Sequence, residues 1–274
     1  MPNFTTSDGL SLYYEDIGSG LPILCLPGLT RNARDFDFVG PHLSNHRMIR
    51  LDYRGRGKSE WASDYSTYSV PRETQDVLEL LAHLELDKVA ILGTSRGGLI
   101  AMVLAATAKD RLMGVCLNDV GPELNLDGLA SIVDYLGINP DAETMADFVV
   151  QRAQMPGFAN VPADRWAQEA THTYVETPDG VQITYDPKLR NAVIESMASG
   201  DTPDLWPLFG AIAPLPCAVI HGVNSELLYT EAVTKMAHAM PGLIVAHVPD
   251  RAHVPFLDEP EALTAIEKWI GAMQ

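Results

Sequence analysis

The chain has 274 residues, 46% hydrophobic and 20% charged, and carries a net charge of −17 from 36 acidic and 19 basic side chains. This composition supplies a sizeable core for one large domain, or for a domain with an insertion, and argues against global disorder. The acidic surplus disfavours nucleic acid and anionic membranes as partners, and by itself reads as solubility.

In chain order, residues 4–17 read as a hairpin turning at Ser7-Asp8-Gly9, since Asp-Gly is a strong tight-turn signal. LPILCLPG and RMIRLDYRG are short apolar runs ending in glycine-rich loops, the pattern of strands buried on both faces. Residues 70–85 carry VLELLAHLEL at helical spacing, and DKVAILG runs through Gly93-Thr94-Ser95-Arg96-Gly97-Gly98 into the apolar helix LIAMVLAATA. LMGVCLNDVG is a fourth buried strand. This alternation implies a parallel sheet with helices on both faces. Residues 123–206 break it with amphipathic helical stretches and a hairpin expected at Pro178-Asp179-Gly180. PLPCAVIHG, a helix near 230–239, the strand LIVAHV and a helix over 260–272 resume it. The expected organisation is an α/β core of residues 1–122 and 207–274 and a mostly helical cap of residues 123–206.

Cys25, Cys116 and Cys217 sit in apolar strand-like runs. Their odd number and wide spacing argue against a disulfide framework or a zinc site. No apolar run approaches 18 residues, and MPNFTTSDG lacks a basic, apolar leader, so no membrane association and a cytoplasmic location are expected.

The strongest chemical signal is Gly93-x-Ser95-x-Gly97 between a strand and a helix. A serine on so sharp a turn projects above the carboxyl edge of the sheet, at a helix N-terminus whose free N–H groups stabilise negative charge. Such a nucleophile needs a general base and an orienting acid, in the order serine, acid, histidine. Of eight histidines, His253 lies in the turn after LIVAHV, at the same sheet edge; His172, in the cap, is expected at the surface.

Four segments together carry a resemblance to the α/β-hydrolase family: GTSRGG, Asp52-Tyr53-Arg54-Gly55-Arg56-Gly57-Lys58-Ser59, Leu117-Asn118-Asp119-Val120-Gly121-Pro122, and the ending from His253. The resemblance implies a mostly parallel, doubly wound sheet, a cap after the family's sixth strand and a hydrolytic triad. It implies an oxyanion hole from the backbone N–H groups of Leu29 and Arg96, although Pro27-Gly28 replaces the family's usual His-Gly. The family commonly mounts its acid a few residues after PCAVIHG, where Glu226 is the only carboxylate, so Glu226 is the expected acid and Asp119 its rival. The Arg96 side chain is expected to pair with a neighbouring acid.

These residues predict a serine carboxylesterase acting on a small-molecule ester through an acyl-enzyme, without metal or cofactor. Lactonase and carbon–carbon bond hydrolase remain open on the same triad, as does a ligand-binding receptor on the same fold. Serine at the elbow disfavours dehalogenase and epoxide-hydrolase chemistry, which use an aspartate nucleophile there. Phe148, Phe158, Trp166, Tyr174 and Trp206 are candidate pocket residues.

Overall fold

The computed structural model describes residues 2–198 and 204–274. The sheet is built from β1 (Asn3–Thr5), β2 (Ser11–Ile17), β3 (Pro22–Leu26), β4 (Arg47–Leu51), β5 (Val89–Thr94) and β6 (Leu112–Asn118). Two further strands, placed later in the chain, complete it. Between the early strands run α1 (Val70–His83) and α2 (Arg96–Thr107). The insertion follows, with α3 (Leu126–Tyr135), α4 (Met145–Arg152), α5 (Ala163–Thr173), the hairpin β7 (Tyr174–Thr177) and β8 (Gly180–Ile183), and α6 (Leu189–Ala198). The chain returns through α7 (Trp206–Gly210), β9 (Cys217–Gly222), α8 (Thr230–Ala239), β10 (Ile244–Val248) and α9 (Pro260–Gly271).

The large sheet has the order β1-β2-β4-β3-β5-β6-β9-β10. β1 and β2 join antiparallel at one edge, and all pairs from β4 to β10 are parallel. Parallel strands covered on both faces need apolar residues on both, and this divides each strand between two cores. Leu24, Leu26 and Ile91 face the helices α1 and α2, whereas Ile23, Cys25, Ala90 and Leu92 share a core with Trp269 and Ile266 of α9. The three cysteines are free and buried, Cys25 and Cys116 in this second core and Cys217 in the first. Among the described residues no helix is long and apolar enough to cross a membrane.

The sheet register sets the site. Thr94 at the end of β5 pairs with Asn118 at the end of β6, and Asn118 pairs with Ile220 near the end of β9. Residues 95, 119 and 223 onward therefore leave the sheet side by side at its carboxyl edge, as does the loop after β10.

Insertion helices show local causes of their own. Thr144 caps α4 by accepting from the N–H of Asp147. α5 buries Trp166, Glu169, Ala170 and Thr173, the i, i+3, i+4, i+7 stripe of an amphipathic helix. Arg165 on its other side joins the insertion to the core, with Nη1 and Nη2 at 2.9 and 2.5 Å from the two carboxylate oxygens of Asp258. Its guanidinium lies over the Phe38 ring.

Candidate active site

Ser95 stands between β5 and α2 with φ 49° and ψ −111°, a left-handed backbone that costs a non-glycine residue of the order of 1–3 kcal/mol. The flanking glycines make the turn possible. A Cβ on Gly93 would lie 2.6 Å from the Gly97 carbonyl, and one on Gly97 would press into the Leu26 carbonyl. The turn is held by the Ser95 N–H on Asn118 O at 2.9 Å. The Ser95 hydroxyl lies 3.0 Å from Nε2 of His253.

His253 Nδ1 lies 2.7 Å from Oδ2 of Asp119. An ionised carboxylate only accepts, so Nδ1 carries the proton and Nε2 of the neutral ring is left as an acceptor toward Ser95. Asp119 itself is fully buried, with φ 55°. Its Oδ1 accepts from the N–H of Gly222 at 2.9 Å, and its Oδ2 also accepts from the Ser225 hydroxyl at 2.6 Å. Ser225 in turn accepts from the N–H groups of Leu227 and Leu228. A buried carboxylate is tolerated where donors replace its water, and these three supply that shell.

Here the structure corrects the sequence-based expectation. Glu226 does not reach the imidazole of His253; Asp119 does. The loop after β9 turns tightly, with the Ser225 N–H on Gly222 O, so Ser225 points inward and the next residue, Glu226, faces outward. The Glu226 carboxylate is exposed and, among the described residues, accepts only the backbone N–H of His253, at 3.3 Å. Sequence order could not separate the two acids, because both follow buried strands between Ser95 and His253. Ser225 was not singled out from the sequence at all, and no sequence signal marks a serine that orients a carboxylate.

Leu29 follows β3, and Arg96 comes directly after Ser95. Among the described residues neither N–H meets an acceptor. The Arg96 side chain turns away, with Nε 2.5 Å from Glu73 Oε2 and Nη2 3.0 Å from the Tyr68 carbonyl. The bases of the 52–59 loop are likewise engaged: Arg54 with Asp76 and Asp8, Arg56 with Glu73.

Ser95, His253 and Leu29 line a cavity of about 430 Å³ under the insertion. Phe148, Phe158, Trp166 and Tyr174 line it too. Trp206 does not: its ring packs edge-on to Phe209, and its Nε1 donates to Glu123. His172 also departs from expectation, being buried and stacked on Phe38 rather than at the surface. Burial, reinforced by nearby Arg34, pushes its pKa down to about 4.

Known proteins resemble this chain. A curated relative, the 3-hydroxybutyrate-oligomer hydrolase of Cupriavidus necator, is 34% identical over 91% of this chain and 88% of its own length. The pimeloyl-[acyl-carrier protein] methyl ester esterase of Nitrosospira multiformis is 22% identical over 93% of this chain and 96% of its own. A crystal structure of an α/β hydrolase from Novosphingobium aromaticivorans superposes with a TM-score of 0.90 at 35% identity, covering 99% of this chain and 97% of that one. Residues 23–266 match the family model described as the alpha/beta hydrolase family. With the sheet order, the elbow and these relatives together, the chain belongs to the α/β-hydrolase family of hydrolases.

Proposed function

We propose that the protein is a serine hydrolase of carboxylic esters in which Ser95 is the nucleophile, His253 the general base and Asp119 the acid that orients it. The observation that carries this reading is the hydrogen-bonded run from Ser95 Oγ through the His253 ring to Asp119, opening on a closed-in cavity. Relatives named for hydrolysis of hydroxybutyrate oligomers and of a methyl ester support the substrate class.

The steps follow from the geometry. His253 Nε2 takes the Ser95 proton as Oγ bonds to the ester carbonyl carbon. The oxyanion meets the N–H groups of Leu29 and Arg96. The protonated ring gives its proton to the departing alcohol as the carbon–oxygen bond breaks, leaving an acyl-serine. Water then repeats the sequence: it loses a proton to His253, bonds to the acyl carbon, and Ser95 leaves with that proton. Asp119 fixes the ring tautomer and stabilises the imidazolium at both stages. The insertion, through α3, α4 and α5, acts as the cap that walls this cavity.

The test is active-site labelling with a fluorophosphonate, followed by peptide mass spectrometry and assay of a p-nitrophenyl ester. The expected result is one adduct on Ser95 and loss of turnover in step with labelling. An unlabelled Ser95 in a chain that hydrolyses the ester would overturn the assignment.

A further inference from the structure

The buried stripe of α5 contains one charged residue, Glu169, only 4% exposed between Trp166 and Thr173. A carboxylate in such a place needs partners. Arg152, the last residue of α4, donates from Nη2 to Glu169 Oε1 at 2.9 Å. Arg31, two residues beyond Leu29, brings Nη2 to 3.6 Å from the same oxygen, but commits Nη1 to Asp35 at 2.5 Å. Burial opposes the charge on Glu169, yet Arg152 and Arg31 outweigh it and hold the carboxyl below the usual range. Two buried atoms have no hydrogen-bond partner among the described residues: Glu169 Oε2, an acceptor, and Arg152 Nε, a donor; both are closed to solvent here, so a ligand reaches them by a small shift of the two side chains. Arg31, Arg152 and Glu169 line the same cavity as Ser95.

Resting on the esterase reading above, we propose that this cluster reads a hydroxyl group on the substrate's acyl chain. Two cations, Arg31 and Arg152, already balance two anions, Asp35 and Glu169, and Asp134 and Glu226 add further negative charge to the cavity wall. A carboxylate on the substrate would meet this surplus and leave Glu169 Oε2 unfilled, because it only accepts. An ammonium would leave Arg152 Nε unfilled, because it only donates. A hydroxyl does both: its proton goes to Glu169 Oε2 and its lone pairs take the Arg152 N–H. Phe148, Phe158 and Trp166 then enclose the carbon chain between that hydroxyl and the ester. A site built to bond a hydroxyl rejects the analogue that lacks it, since the analogue leaves the site's own polar atoms buried and unpaired.

The experiment measures kcat/KM of the full chain on length-matched ethyl esters: butyrate against 3-hydroxybutyrate, hexanoate against 6-hydroxyhexanoate, with monoethyl succinate as the anionic arm. The expected result is a preference of about tenfold or more for one hydroxylated ester over its plain partner. Glu169→Gln should reduce that ratio to within about twofold, with a melting curve to verify folding. Arg152→Lys, which keeps the charge and loses Nε, serves if Glu169→Gln does not fold. Equal rates on both members of each pair would overturn the inference while Ser95 labelling left the esterase reading standing. A preference for monoethyl succinate would replace hydroxyl by carboxylate recognition and overturn it. A preference that survives both variants would overturn the assignment to this cluster. No turnover of any ester, with no label on Ser95, would overturn both readings.

Discussion

The loops after β6 and β9 look alike in the sequence and differ in three dimensions. Each follows a fully buried strand end, and each carries a candidate acid between Ser95 and His253 in chain order. Asp119 leaves β6 immediately, in a left-handed backbone, and its short side chain is fully buried among Gly222 N, Ser225 Oγ and His253 Nδ1. Glu226 comes four residues after the end of β9, is exposed, and meets His253 through its backbone N–H and not its ring. The difference teaches that donors and burial select the acid. A carboxylate held by three donors keeps one direction, whereas an exposed glutamate with three rotatable bonds does not.

The comparison can be broken by mutation. Ser95→Ala sets the scale and should cost about 10⁴–10⁶ in kcat at unchanged melting temperature, since it removes the nucleophile both acids would serve. Asp119→Asn comes next, at about 10²–10⁴ in kcat with little change in KM, by analogy with amide substitution of triad acids. Measured beside it, Glu226→Gln should stay within about fivefold, the scale of an exposed charge contact. A near-normal Asp119→Asn with an inactive Glu226→Gln would reverse the roles. Ser225→Ala sharpens the contrast by removing one donor from Asp119 and leaving His253 in place, and should cost about tenfold in kcat, the order expected for a hydrogen bond to a charged group.

The smallest effect carries the contrast of buried and accessible groups over to the histidines. His253 opens on the cavity; His172 is buried, its Nε2 without a hydrogen-bond partner among the described residues and 3.6 Å from Asp37 Oδ2, and its pKa is lowered from 6.5 to about 4 by burial and then by Arg34, against the opposing pull of Asp37 and Glu169. Below pH 6.5 the unfolded chain takes up a proton that the folded chain refuses until about pH 4. Stability from this group is therefore full above pH 6.5 and lost on the way down to about 4. Melting temperature should fall over that window, and His172→Gln should flatten the fall. An unchanged slope would show that His172 is accessible to protons in the folded state.

The alternation of strands and helices, the insertion and its hairpin were legible because buried parallel strands, amphipathic helices and Asp-Gly turns each leave a periodic or compositional mark. The elbow was legible for a sharper reason: no residue but glycine fits at 93 and 97, and that requirement is written into the sequence. The partner of His253 was not, because it depends on which way successive side chains point in a four-residue turn. Trp206 was placed in the pocket on aromatic character alone, and the return helix α7 carried it to Phe209 instead. Glu169 passed unnoticed because one glutamate on a helix is ordinarily solvated; only its neighbours mark it as buried.

The polar groups around Asp119 have one further implication. Gly222, Ser225 and His253 all belong to the part of the chain that builds the sheet, and so does Asn118, which accepts from the Ser95 N–H through its carbonyl and donates through Nδ2 to Pro255 O. Helices α3 to α5 contribute walls to the cavity and none of these bonds. The hydrogen-bonded run is thus held inside one part of the chain, while the loop that carries Ser225 is tied to the insertion, Asn125 Nδ2 donating to Glu226 O and Asn224 Nδ2 to Gly157 O. For engineering, an exchange of the insertion has to rebuild those ties together with the Arg165–Asp258 ion pair.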